Sequence, residues 1–94
     1  MIRSFRDKAL RAYVREGGRC PTALVAIEKK VILKLNLLEA ASALEDLRMP
    51  PGNRLEALKG DRQGQHSLRI NDQYRLCFVW RDGGADEVEI TDYH

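Results

Sequence analysis

The sequence lacks any apolar run long enough to cross a membrane, which takes about 18 residues or more. Its opening "MIRSFRDK" carries charges with no apolar stretch behind them, so we expect no secretory signal peptide and no membrane partner. Cysteine is scarce too, since Cys20 and Cys77 are its only two examples and lack metal-ligand spacing. These absences favour a cytoplasmic protein with reduced thiols.

The net charge is small, at +2 with neutral histidines. Residues 1–52 hold ten basic against six acidic side chains, whereas residues 53–94 hold six against eight. A protein that binds nucleic acid through its overall charge usually has a larger positive net charge than +2. Any contact with nucleic acid must therefore rely on a few well-placed cations or on help from a second macromolecule.

Motifs for metals and nucleotides are missing as well. No pair of carboxylates or histidines has the spacing of a ligand set on one helix or hairpin, and "GDRQG" does not open a helix as a phosphate-binding loop would. We therefore expect no metal and no cofactor. The length of 94 residues predicts a single domain over residues 1–94, with a two-layer core and a shallow surface site.

The first half of the chain has helical patterns. "SFRD" has the form of a capping box, with Ser4 as N-cap of a helix of about ten residues that ends at "EGG". No glycine or proline occurs from residue 23 to residue 47, and the apolar spacing predicts one long helix there. Lys34 is expected on the solvated face of that helix.

The second half has strand patterns, separated from the helices by the turn "RMPPGN". The strand segments are "RLEALK", "HSLRIN", "YRLCFVW" and "EVEIT". The order of the elements predicts an α+β fold, in which two N-terminal helices pack on one face of a small antiparallel β-sheet. The other face is left open for a partner or a polymer.

The hairpin between the two middle strands has a predictable register. A three-residue loop, 71–73, pairs Leu68 with Leu76 and Arg69 with Arg75, which keeps the apolar side chains on one face. The two arginines should then stand side by side on the face away from the helices.

Such a pair of like charges is unfavourable unless something compensates it. In one interpretation each arginine pairs with a carboxylate, such as Glu87 or Glu89. In the other the two guanidinium groups bind an anion, and phosphate is the usual partner for such a pair.

The segment "VEITDYH" continues this face with groups that can move protons. Alternation places Tyr93 on the open face, and His94 follows it with an imidazole that titrates near neutrality. Together with Lys59, Arg69 and Arg75, these groups suffice for RNA cleavage without a metal: a base for the 2′-hydroxyl, cations for the phosphorane and an acid for the leaving oxygen. Taken alone, a Tyr-His pair is also compatible with an incidental tail.

The other histidine, His66, is predicted to be a structural histidine whose hydrogen bonds are satisfied. Alternation places it with the apolar side chains of its strand, opposite Phe78 at the edge of the core.

The string "LEALKGDRQGQHSLRINDQYRLCF", together with "DYH", resembles the HigB-type toxins of bacterial type II toxin–antitoxin systems, in the RelE/ParE superfamily. "IRSFRDKAL" and "MPPGNRLE" resemble the same family, so the resemblance covers nearly the whole chain. It implies a compact toxin that enters the decoding site of the ribosome and cuts mRNA without metal. It also implies a HigA-type helix-turn-helix antitoxin, through which alone the toxin would reach operator DNA.

The resemblance also implies roles for individual residues. Asp92, Tyr93 and His94 match the terminal catalytic trio of the family. Arg75 matches a position that stabilises the transition state, and the substrate-binding positions fall on Lys59, Arg62 and Arg69.

One position departs from the family pattern. Where its members carry a histidine shortly before the "KG" turn, this chain has Glu56. A carboxylate could serve as the base, but its ordinary pKa of about 4.3 makes it weaker than imidazole unless burial raises it. A slower toxin is therefore expected.

Two other functions are compatible with parts of the sequence. A ParE-type toxin has the same fold but inhibits DNA gyrase by binding, and it would not need the acid–base pair at Tyr93 and His94. A DNA-binding regulator acting alone is disfavoured by the acidic second half and by the lack of a recognition-helix motif.

Overall fold

The computed structural model describes residues 1–92 and confirms the α+β architecture. Within these residues the strands form one antiparallel sheet in the order β1-β2-β3-β4. None of the helices in this part of the chain has the length and apolar character needed to span a membrane. The helices are α1 (Lys8–Arg15) and α2 (Glu28–Ala40), and the strands are β1 (Glu56–Ala57), β2 (His66–Arg69), β3 (Tyr74–Arg81) and β4 (Gly84–Asp92).

The capping box predicted at Ser4 is wrong, because the residues before α1 run alongside β4. Ile2 and Phe5 form parallel bridges with that strand, which keeps this segment extended. The Ser4 hydroxyl accepts from the backbone N–H of Glu87 at 2.9 Å and so cannot cap a helix. Asp7 is the N-cap instead, and its carboxylate accepts from the Ala9 amide at 2.8 Å.

The predicted end of the first helix is correct. The amides of Glu16 and Gly18 both donate to the carbonyl of Ala12, at 3.0 and 2.9 Å. Gly17 adopts the left-handed conformation with φ of 70°, which glycine takes without steric cost.

The long helix predicted over residues 23–47 is divided into a 3₁₀ segment, α2 and a second 3₁₀ segment. The division after α2 has a local cause, since Ala41 is extended and the Asp46 carboxylate accepts from the amides of Ser42 and Ala43. Those contacts satisfy amides that a continuing helix would otherwise direct to its own carbonyls. The predicted solvated position of Lys34 is also wrong, because its side chain is buried.

The core lies between the helices and the sheet. Fully buried leucine, valine and phenylalanine side chains from α1, α2 and three strands belong to one cluster, and burial of each such side chain contributes roughly 1.5–3 kcal/mol. Its largest fully buried members are Leu10, Val31, Leu38, Leu47, Leu68, Leu76, Phe78 and Val88.

The register predicted for the β2–β3 hairpin is confirmed. Leu68 lies opposite Leu76 and Arg69 lies opposite Arg75. The pairing of β3 with β4 then shifts by one residue, so that β4 carries a bulge at Glu87, whose φ is 53°.

Candidate active site

Arg75 is a firmly held cation on the face of the sheet opposite the core. Its Nε donates to the Ser67 hydroxyl at 2.8 Å, and its Nη2 donates to the Arg54 carbonyl at 2.9 Å. The Glu56 carboxylate lies 3.7 Å from Nη2. Only 12% of the Arg75 side chain is exposed, so these contacts hold the guanidinium group in a largely water-excluded position.

A second cation, Arg62, reaches the same face from the turn that follows β1. Its Nη1 lies 3.1 Å from Glu89 Oε2 and also donates to Gln65, and its Nη2 donates to the Thr91 hydroxyl at 3.4 Å. Thr91 is the β4 residue paired with Arg75, so the two arginines approach one strand end from two directions.

Cys77 lies on the same face of β3 as Arg75 and is completely buried. Burial is the main cause that raises its pKa, while the Thr91 hydroxyl and the positive charges of Arg62 and Arg75 act in the opposite direction. The thiol is free, as is that of Cys20. Cys77 pairs with Glu89 across β3 and β4, so Glu89 belongs to the same face of the sheet.

The two arginines of the hairpin pair in register, but their guanidinium groups have different partners. Arg69 makes an ion pair with Asp72 in the loop of its own hairpin. The interpretation that each arginine pairs with a carboxylate is thus correct, but Glu87 and Glu89 were the wrong candidates. Glu87 lies in the bulge with its side chain exposed, and the carboxylate of Glu89 is within ion-pairing distance of Arg62 and Arg6.

Two further predicted site residues are more exposed. The Glu56 side chain is 55% exposed, so the burial that would favour its use as a base is absent. Lys59 is exposed at the start of the turn that carries Arg62. Within residues 1–92 its side chain has no ion pair or hydrogen bond, which leaves its ammonium group available.

The predicted catalytic trio is only partly described. Asp92 pairs with Tyr74 across the sheet, and its carboxylate accepts from Gln73 Nε2 at 2.9 Å. Tyr93 and His94 lie outside the described residues. The strand that leads to them passes directly beside Arg75 at Thr91.

The Ser67 hydroxyl and the Arg54 carbonyl both accept hydrogen bonds from Arg75, and neither was predicted from the sequence. Alternation could have found Ser67, because it lies on the same face of β2 as Arg69. Nothing in the sequence indicates that the carbonyl of Arg54 faces Arg75, since that contact depends on how the preceding turn folds.

His66 lies on the face of β2 predicted for it, but the expectation that its hydrogen bonds are satisfied is wrong, because its buried Nδ1 has no hydrogen-bond partner within residues 1–92. It pairs with Phe78, and the two rings stack with centroids 6.3 Å apart and an interplanar angle of 23°.

The shallow surface site expected from the chain length stays a prediction. A cavity of about 260 Å³ does exist, but it lies between α1 and α2 and none of the predicted site residues lines it. Among residues 1–92 there is no group of three histidine, cysteine, aspartate or glutamate side chains that could hold a metal ion.

The chain matches known toxins in sequence. Residues 3–94 match the family described as RelE-like toxin of type II toxin–antitoxin system HigB. The chain is 45% identical over 85 residues to Toxin HigB-1 of Vibrio cholerae serotype O1, covering 90% of each protein. It is 27% identical over 94 residues to Endoribonuclease HigB of Proteus vulgaris, covering 100% of each.

The fold matches as well. The structure of YafQ from E. coli strain BL21(DE3) aligns with a TM-score of 0.62 at 10% identity, over 98% of this chain and 93% of that one. Because the family model matches residues 3–94, the similarity to this family extends over nearly the whole chain and is not limited to one segment. The chain belongs to the RelE-like HigB toxins of type II toxin–antitoxin systems.

Proposed function

We propose that the protein is a ribosome-dependent endoribonuclease that cuts mRNA with side-chain groups alone and thereby stops translation and growth. The observation that carries this proposal is the placement of Arg75. Its guanidinium group is largely buried, fixed by Ser67 and by the Arg54 carbonyl, and adjacent to the strand end at Thr91. A preorganised cation in a site with little water stabilises developing negative charge on a phosphorane better than a mobile one.

The other cations serve the substrate in this proposal. Arg62 and Arg69 are held by carboxylates and contact RNA phosphates when the messenger displaces those partners, and exposed Lys59 contacts a further phosphate. Planar guanidinium groups suit phosphate oxygens because they can donate two hydrogen bonds at once.

Proton transfer is assigned to the chain end and its surroundings. Tyr93 and His94 supply the phenol and imidazole, with Asp92 before them. Glu56 is a second candidate base. We expect it to be a weaker base than His94, because its side chain is exposed and close to the positive charge of Arg75. The Asp92 carboxylate accepts from Gln73 Nε2, which connects the end of β4 to the loop between β2 and β3.

Family membership supports the proposed partners. We propose a HigA-type helix-turn-helix antitoxin, with operator DNA reached only through it, and the decoding site of the ribosome as the place of cleavage. Residues 1–94 act as one toxin domain in the cytoplasm, where ribosomes and messengers occur. Both helices cover one face of its sheet and leave the other to RNA, which the shared helix–sheet core supports.

The test is primer extension on a reporter mRNA after brief induction of the toxin. Wild type is compared with a chain lacking Tyr93 and His94, with Arg75→Ala, and with Arg11→Ala, a control that loses an exposed arginine on α1. We expect discrete cuts within the translated frame for wild type and Arg11→Ala, and none for the other two. Growth arrest with intact mRNA would refute the proposal and would call for a gyrase supercoiling assay.

A further inference from the structure

A buried lysine lies on α2, far in sequence from every residue assigned above. Lys34 is only 9% exposed, and its Nζ donates to Asn53 Oδ1 at 2.5 Å. Burial lowers the pKa of Lys34, and the nearby charge of Arg69 lowers it further. Desolvation of an ammonium group is unfavourable, so a sequence that needed only packing here would do better with an apolar side chain.

The partner of this lysine, Asn53, is completely buried and organises the turn between the helices and the sheet. Its Nδ2 donates to the carbonyls of Leu47 and Met49, both at 3.1 Å. The carboxamide therefore connects α2 to the turn and also holds the turn in its folded path.

Arg54, the residue after Asn53, connects the ordered turn to Arg75. Arg54 adopts the left-handed conformation, with φ of 45° and ψ of 58°, and its amide donates to the carbonyl of Pro51 at 3.1 Å. A residue with a side chain takes this conformation at a cost, so surrounding contacts must hold it. In this conformation the Arg54 carbonyl accepts from Arg75, and two residues later the Glu56 carboxylate lies near the same guanidinium group.

We propose that Lys34 and Asn53 are positioning residues for Arg75. They hold the turn so that the Arg54 carbonyl and Glu56 are placed against the guanidinium group. The catalytic part of this inference rests on the proposed function, because it takes Arg75 to act on the scissile phosphate. The geometric part, that the pair orders Arg75, stands by itself.

The experiment follows the Nε–H resonance of Arg75 by NMR and measures its hydrogen exchange in the intact chain. Asn53→Ala removes the bonds of the carboxamide. Lys34→Gln is the milder variant, because it leaves the bonds of Asn53 to Leu47 and Met49 in place. We expect exchange at Arg75 to become at least about tenfold faster in Asn53→Ala and several-fold faster in Lys34→Gln.

Arg3 supplies the internal control, because its ion pair with Asp86 on β4 involves neither α2 nor the turn around Asn53, and its exchange should change less than twofold. Lys34→Arg, which retains a cationic donor, should restore much of the protection that Lys34→Gln loses. Unchanged exchange at Arg75 in folded Lys34→Gln would overturn the inference. So would equal acceleration at Arg75 and Arg3, because it would indicate general loosening of the chain.

Cleavage of messenger on programmed ribosomes gives the second readout. We expect kcat to fall about tenfold in Asn53→Ala and KM to change less than twofold, because the pair does not contact RNA. Arg75→Ala is measured in parallel. If Arg75→Ala cleaves like wild type, the proposed role of Arg75 fails, whereas the exchange data still decide whether Lys34 and Asn53 order it.

Discussion

Ser67→Ala tests whether fixation of Arg75 matters for both stability and cleavage. The hydroxyl of Ser67 is completely buried and accepts from Arg75 Nε at 2.8 Å. Alanine leaves this charged donor without its acceptor at a position with little access to water. Hydrogen bonds to charged groups contribute roughly 1.5–3 kcal/mol, and the lost volume is a single oxygen atom, so we expect the free energy of unfolding to fall by about 2 kcal/mol.

For a chain of this length, a loss of about 2 kcal/mol lowers Tm by roughly 8–16 °C. If that energy also orients the guanidinium group for the transition state, cleavage should fall about 10- to 100-fold. Urea unfolding with an unchanged m-value measures the loss of unfolding free energy. Cleavage of messenger on programmed ribosomes measures the loss of activity. The control is Ser42→Ala, at an exposed serine whose hydroxyl bonds Asp46 at 3.3 Å. A loss below about 0.5 kcal/mol for Ser67→Ala would refute the reasoning, because surface substitutions alone reach that value.

Three further predictions address single residues. Glu56→His should raise kcat for cleavage, because imidazole is the better base near neutral pH; equal rates for wild type, Glu56→His and Glu56→Ala would exclude a role for this position. The backbone N–H groups of Ser42 and Ala43 lower the pKa of Asp46 from its ordinary value of 3.8, so its carboxylate stabilises the fold above that pH. Asp46→Asn should therefore be less stable than wild type at pH 7, and the difference in unfolding free energy should vanish as the pH falls through the lowered pKa. Gly17→Ala should cost about 1 kcal/mol in urea unfolding because φ is 70° there, although no atom obstructs the added methyl group; an unchanged midpoint would contradict this.

The parts of the fold that follow from local periodicity were predictable from the sequence. Strand side chains alternate with a period of two, so the apolar pattern of "HSLRIN" and "YRLCFVW" permits one register, and the observed pairing of Leu68 with Leu76 agrees with it. The glycine at position 17 likewise marks the end of α1, because few other residues take a left-handed conformation there. The candidate site residues were named from the sequence too, by alternation and by family motif.

Tertiary structure decided which of those residues meet and what holds them. Ser4 could cap a helix locally, but the bridges of Ile2 and Phe5 with β4 compete for the same segment and prevail. Lys34 has the sequence context of a solvated lysine, and only the packing of the 47–53 turn against α2 buries it beside Asn53. Such contacts join residues that are distant in the chain, so no local pattern specifies them, and they decide where the guanidinium group of Arg75 lies.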